Sequence, residues 1–360
     1  MNQTFATNEE IIIAARRNLA QGPWDYLMGA AESETTMRRN REGFDRIALR
    51  PRVGIDVSKV DATSSFLGYP LRIPVLLSPI GGVQAFTPGG AADSAQAASD
   101  FGIIPVISSS TEPELEETAA AGDGPKMYQL YVDGDDVWIR DMLDRVVAAG
   151  YKALAVTVDS AHYSKRERPL ISRWVPPGRR PSTRRDTNYR KAITWELIEK
   201  IKGMTDLPFM LKGIATAEDT KIAVDLGVDV VWVSNHGGRQ LDHGRGSIEV
   251  VPEVIEAAEG RADVIVDGGV NRGTDIIKAF ALGVKAVGLG RLHGWGLAAG
   301  GPTALVRTLQ ILEEELVVSM GLLGVTKLSE ITPNHICKVD PVAPAHEMSA
   351  WPNLPGSRLI

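Results

Sequence analysis

The sequence predicts an α/β fold of the (β/α)8 type, a TIM barrel, and three observations carry that reading. Eight short apolar runs follow one another from residue 74 onward, each ends in small or polar residues, and a helix-patterned segment follows each. The strand-like runs are Pro74–Ser78, Ile103–Ser108, Met127–Tyr131, Ala153–Thr157, Pro208–Lys212, Val230–Ser234, Val264–Asp267 and Ala286–Gly290. The helices between and after them are Gly90–Phe101, Leu115–Ala121, Val137–Ala149, Trp195–Lys202, Ala217–Leu226, Ser247–Ala258, Thr274–Leu282 and a long one from about Ala304 to Met320. A doubly wound sheet is the structural alternative. The unit count disfavours it, as does the lack of a glycine fingerprint after the first strand.

Two segments break the repeat. Residues 1–73 form an N-terminal cap with short helices near Glu9–Ala20 and Pro23–Ala31 and an extended stretch, Arg50–Leu71. Between the fourth strand and its helix lies a long loop, residues 160–194, that carries Arg166, Arg168, Arg173, Arg179, Arg180, Arg184, Arg185, Arg190 and Lys191. Such loops on this face are usually lids, and the charge run reads as a solvated lid or a disordered loop before it reads as an anion site. The barrel then spans 74–328, and residues 329–360 form a C-terminal tail, of which 338–360 are rich in Pro and polar residues and read as wrapping the body or another subunit.

Composition narrows the class. The chain has 360 residues, 44% hydrophobic and 23% charged, which is ordinary for a globular protein. A formal charge of −6 disfavours a dedicated nucleic-acid binder. One cysteine, Cys337, excludes an intrachain disulfide and a cysteine-held zinc or iron–sulfur site, so no metal is expected. Its place in the tail reads as a bystander. The N-terminus lacks a signal pattern, and Ile11–Ala15 is too short to span a membrane, so the expectation is a cytoplasmic protein.

Active sites of this barrel lie at the C-terminal ends of the strands. Those ends carry Ser78-Pro79-Ile80-Gly81-Gly82, Ser108-Ser109-Ser110, Gln129 with Tyr131, Thr157 with Asp159, Lys212, Ser234 with His236 and Arg239, Asp267-Gly268-Gly269, and Gly288-Leu289-Gly290-Arg291. The sixth end is the most telling. Val230-Val231-Trp232-Val233 stops abruptly in Ser-Asn-His-Gly-Gly-Arg, which sets an imidazole three positions before a guanidinium. A lone histidine at a strand end is usually structural. A base beside a carboxylate clamp is what oxidation of a small hydroxy acid requires. The seventh and eighth ends have the form of a barrel phosphate site, with glycines, a helix N-terminus and an arginine. Turn glycines with a surface arginine are the alternative there. Lys212 ends an apolar strand and needs an anionic partner. Either it forms a Schiff base, as in an aldolase or related phosphosugar barrel enzyme, or it faces a cofactor that becomes negative.

Together the SNHGGRQLD, LKG, QLYV, TVD and DGGV segments closely resemble the FMN-dependent α-hydroxy acid oxidase and dehydrogenase family (glycolate oxidase, lactate oxidase, mandelate dehydrogenase), from about Trp24 through Leu328. The resemblance implies FMN as cofactor and oxidation of a 2-hydroxy acid to the 2-oxo acid, with electrons passing to dioxygen or another acceptor. It implies that His236 is the base and that Asp159 orients it. Arg239 and Tyr26 then grip the substrate carboxylate, Tyr131 bonds its hydroxyl, and Arg166 stands at the lid base. Lys212, Ser108, Gln129, Thr157 and Ser234 fall at flavin positions, with Pro79, Ile80 and Gly81 by the reactive face. Asp267, Gly268, Gly269, Asn271, Arg272, Gly290 and Arg291 fall at the ribityl and phosphate positions. A homo-oligomer is likewise implied. A flavin-binding barrel without turnover is the non-enzymatic alternative.

Four departures from the family pattern stand out. Asn271 replaces the arginine common after DGGV, with Arg272 next. Ser110 replaces a bulky aromatic, which suggests a roomier or more polar pocket. Gly81 replaces an alanine, which leaves the acceptor open. The lid is shorter and more basic than in glycolate oxidase.

Overall fold

Eight parallel strands close into a barrel in chain order: β1 (Val75–Leu77), β2 (Ile104–Ser108), β3 (Met127–Leu130), β4 (Leu154–Thr157), β5 (Phe209–Ile214), β6 (Val230–Val233), β7 (Asp263–Asp267) and β8 (Ala286–Leu289). The computed structural model describes residues 5–180, 186, 188–351 and 354. Val287 pairs with Val75 and closes the ring, and each strand sits one step along from its predecessor. Almost every strand residue is buried, because the barrel interior covers one face and the helices cover the other. The eight-unit reading of the sequence is therefore the architecture of the chain.

The helices are α1 (Asn8–Asn18), α2 (Gln21–Met28), α3 (Thr35–Asp45), α4 (Gly90–Phe101), α5 (Leu115–Ala119), α6 (Asp136–Ala148), α7 (Glu167–Ile171), α8 (Asn188–Lys191), α9 (Trp195–Lys202), α10 (Ala217–Asp225), α11 (Ser247–Ala258), α12 (Gly273–Ala281) and α13 (Arg291–Leu323). Several start at side chains that satisfy orphan backbone donors. Asp135 accepts from Trp138 N, Thr194 from Leu197 N and Thr216 from Asp219 N. Among the described residues no helix is long and apolar enough to cross a membrane.

Three features differ from the sequence reading. The cap contains a third helix, α3. Its buried face is Thr36, Met37, Asn40, Arg41, Gly43 and Phe44, which has helical spacing but is half polar, so no hydrophobic period announces it. Helix α13 begins at Arg291, directly after β8, and continues past a break at Gly300-Gly301. Its first turns, Leu292 to Ala298, are buried on all sides, so they too carry no amphipathic period.

The third difference is in the lid: some of its arginines are tied to the body, although most of its described residues are exposed. Arg168 pairs with Glu34 of the cap (2.5 Å) and Glu347 of the tail (2.8 Å), and Arg190 pairs with buried Asp133 (2.5 Å). Arg184 and Arg185 lie outside the described residues. The stretch expected to be extended, Arg50–Leu71, holds a small hairpin, Ser64–Phe66 with Tyr69–Leu71. In the tail, Ile336–Lys338 pairs antiparallel with Ile47–Leu49, and exposed Cys337 lies on that strand.

Candidate active site

The C-terminal ends of the strands surround a cavity of about 430 Å³, within the roughly 300–1,000 Å³ of small-molecule sites. Tyr26, Pro79, Ile80, Gly81, Ser110, Tyr131, Arg166, Lys212, His236, Arg239, Asp267, Gly268, Gly269, Asn271, Gly290 and Arg291 line it.

His236 sits in the turn after β6. Its Nδ1 lies 3.1 Å from Asp159 Oδ1, and its Nε2 lies 3.1 Å from the Tyr131 hydroxyl. An ionised carboxylate only accepts, so Nδ1 carries the proton and Nε2 accepts from Tyr131. Burial pushes His236 below the ordinary imidazole value of 6.5. Asp159 opposes that shift, and the charges of Lys212 and Arg166 reinforce it. Burial would raise Asp159, but His236 and Lys212 hold its carboxyl below its ordinary value. The pair therefore rests as a neutral imidazole beside a carboxylate.

Local folding explains how Asp159 gets there. Gly213 interrupts β5 with a bulge at φ 115°, and a Cβ on it would fall 2.8 Å from Asp159 Cβ. Only glycine allows that approach. Gln240 Nε2 then donates to the Asp159 carbonyl (2.8 Å) and joins the two loops.

Arg239 is held on one edge by the carbonyls of Tyr26 (2.6 Å) and Gly29 (2.8 Å). Burial, then the neighbouring charge of Arg166, push it down to about 10. Burial and Arg239 likewise push Arg291 down to about 9. Clustered, desolvated guanidiniums give the cavity a positive field that suits an anionic ligand. The Tyr26 hydroxyl donates to the Gly81 carbonyl (2.8 Å). Arg166 spends its donors on the Arg239 carbonyl (3.1 Å) and on Gln240, so it braces the arginine's backbone. Arg190 of the lid stacks 4.2 Å from the Tyr131 ring centre.

Lys212 donates to Ser234 Oγ (2.6 Å), which donates to Asp267 Oδ1 (2.6 Å), and the lysine pairs directly with Asp267 (3.3 Å). Lys212 thus has the anionic partner that a buried lysine needs. Ser108 donates to Gln129 Oε1 (2.8 Å), and both lie buried behind the lining with Thr157. Gln129 Nε2 and Thr157 Oγ1 are buried polar atoms with no protein partner. Such atoms call for a ligand with polar edges.

Arg272, also predicted for the site, is engaged away from the cavity. It pairs with Glu315 (3.3 Å) and lies over the Trp351 ring. Asp275 Oδ2 accepts the backbone N–H groups of both Asn271 and Arg272 (3.0 Å each), so the start of α12 is capped from within. The start of α13, with Gly290 at its N-cap and no side-chain cap, remains the helix terminus that faces the lining. Sequence reasoning missed Met37, Asn40 and Arg41, which also line the cavity. Arg41 forks onto Asp275 (2.7 and 2.9 Å) and donates to the Gly269 carbonyl (2.9 Å), and the pairing carries it upward despite burial.

The family described as FMN-dependent dehydrogenase matches residues 15–338. This chain belongs to that family. Among its relatives is glycolate oxidase 1 of Zea mays, 36% identical over 94% of this chain and 96% of the relative. L-lactate oxidase of Nostoc sp. is 38% identical over 88% and 94%. A crystal structure of mandelate oxidase with (S)-2-phenylpropionate superposes with a TM-score of 0.86 at 34% identity, covering 94% of this chain and all of that one. As an FMN-dependent dehydrogenase the chain is a flavin oxidoreductase, and the orphaned Gln129 and Thr157 atoms, the positive cavity and the open start of α13 fit FMN.

Proposed function

We propose that this enzyme oxidises a 2-hydroxy acid to the 2-oxo acid with His236 as base. The contact that carries the reading is His236 between Asp159 and Tyr131 at the cavity wall, with Arg239 beside it. Nε2 accepts the proton of the substrate hydroxyl, and Asp159 stabilises the imidazolium that results; general-base help of this kind is worth roughly 10²- to 10⁴-fold. Arg239 and Tyr26 take the substrate carboxylate, which fixes the α-carbon and aligns its hydroxyl with Nε2. Tyr131 bonds the hydroxyl oxygen. The lid keeps water out through Pro176 and Pro177, both buried at the cavity wall.

FMN, when bound, would take up the two electrons and the α-hydrogen that the substrate loses, and dioxygen or another acceptor would take the electrons onward. Ser108, Gln129, Thr157, Lys212 and Ser234 would hold its ring, Pro79, Ile80 and Gly81 would back it, and Asp267 with Gly268 and Gly269 would take the ribityl chain. Gly290, Arg291 and Asn271 would seat the phosphate, with α13 in place of the arginine absent at Asn271. Ser110 leaves room for a larger or more polar substrate side chain. Cytoplasmic location and self-association belong to the same reading.

The test is anaerobic mixing of the yellow holoenzyme with glycolate, lactate, mandelate and larger 2-hydroxy acids. Bleaching of the flavin band by at least one of them is expected. A preparation that is never bleached, or that is colourless and does not take up FMN, defeats the proposal.

A further inference from the structure

The turn that presents His236 is held in an unfavourable backbone shape. His236, Gly237 and Gly238 have φ values of 59°, 65° and 79°, three left-handed residues in succession, the first bearing a branched ring system. Such a turn persists only where its surroundings determine it.

What determines it comes from the cap. Asn235 precedes the turn, and its Oδ1 accepts from Gly238 N (3.0 Å) across it. The same amide forms a reciprocal pair with Asn40 of α3. Asn40 Nδ2 donates to Asn235 Oδ1 (2.9 Å), and Asn235 Nδ2 donates to Asn40 Oδ1 (2.7 Å). Backbone groups fix which end of each amide is which. Ser247 N donates to Asn40 Oδ1 (2.9 Å), and the Arg245 carbonyl accepts from Asn235 Nδ2 (3.0 Å). Asn40 is 2% exposed, so this network is shielded from competing water.

Asn40 also touches the loop after β7. A Cβ on Gly269 would fall 2.5 Å from the Asn40 carbonyl oxygen, and one on Gly268 would fall 3.1 Å from its Nδ2. One residue from outside the barrel thus sits between the loop of the base and the loop at the cofactor end.

We propose that Asn40 is a positioning residue for catalysis: through the amide pair with Asn235 it holds the left-handed turn that aims His236, in register with the Gly268–Gly269 loop. This rests on the reading of His236 as base. The groups that face His236 are Asp159 from the β4 loop, Lys212 from β5, Tyr131 from the β3 end and Arg166 from the lid. None is on α3, so Asn40 acts on the imidazole through geometry rather than charge.

The experiment compares holoenzyme variants Asn40→Ala, Asn40→Asp, Asn235→Ala and the Asn40→Ala/Asn235→Ala double, with His236→Ala as control. Anaerobic flavin reduction is followed against pH and substrate concentration, and the flavin spectrum reports occupancy. Asn40→Ala is expected to stay yellow, to lose about tenfold or more in the limiting rate with little change in KM, and to move the acid limb of the pH profile upward as water reaches the imidazole. Asn40→Asp sets a carboxylate oxygen against Asn235 Oδ1 in place of the donor, so a loss at least as large as that of Asn40→Ala is expected. The double variant should lose no more than the worse single one, because both remove one device. A normal rate and unmoved acid limb in Asn40→Ala or Asn235→Ala, or losses that multiply in the double variant, overturn the proposal. If His236→Ala itself reduces normally, the base assignment fails instead.

Discussion

His236 combines a strained backbone with a neutral ring, and both matter to its chemistry. Replacement by alanine should leave FMN bound and lower the rate of anaerobic flavin reduction at least about a hundredfold; a near-normal stopped-flow trace would refute the assignment. The pH response has a definite sign. Burial sets the folded value below 6.5, and the base must be unprotonated. Reduction should therefore be flat above 6.5 and decline only as pH falls through the lowered value. An acid limb centred at or above 6.5 would contradict the burial argument. The residue types at this site were legible in the sequence, since a histidine and arginine after a β-branched run are hard to explain otherwise. The use of Arg166 was not legible, because a guanidinium that braces a backbone carbonyl reads the same as one that awaits a ligand.

At the scale of elements, the barrel depends on pieces outside it. Helix α3 lies so close to the β7 loop that Gly269 has no room for a side chain, and its φ of 93° disfavours one as well. Gly269→Ala should destabilise the protein by about 2–4 kcal/mol and weaken FMN retention together, measured by urea unfolding and flavin release. A stable variant that holds FMN normally would show that α3 can shift at no cost. Arg168 joins cap, lid and tail through Glu34 and Glu347. Arg168→Met should open the lid locally, with proteolysis within 160–194 roughly five- to thirtyfold faster, the factor for about 1–2 kcal/mol. An unchanged cleavage rate would mean the junction adds nothing to closure.

The whole molecule stakes stability on buried ionisable groups. His293, at the start of α13, is 3% exposed, bonds Ser94 Oγ through Nε2 (2.8 Å), and is pushed down to about 4 by burial. The unfolded chain binds that proton more readily, so the contribution is complete above 6.5 and is lost as pH falls from there toward 4. The loss from this residue should reach about 3 kcal/mol. Denaturant unfolding from pH 7 to 4 should show it, and His293→Gln should flatten that part of the curve. An identical slope in the variant would place the acid sensitivity elsewhere.

Period and punctuation alone were enough for the eight βα units, because each strand buries both faces and each ordinary helix buries one, and both patterns are written in local residue order. The strand-end motifs were likewise local. Helix α3, the first turns of α13 and the anchoring of Arg168 in the lid were decided by contacts between distant segments: a polar helix face satisfied by Asn235 and Asp275, a helix wrapped on every side, and an arginine that found carboxylates in the cap and tail. Partners so far apart in the chain leave no repeat to read, and only the folded arrangement brings them within a hydrogen bond of each other.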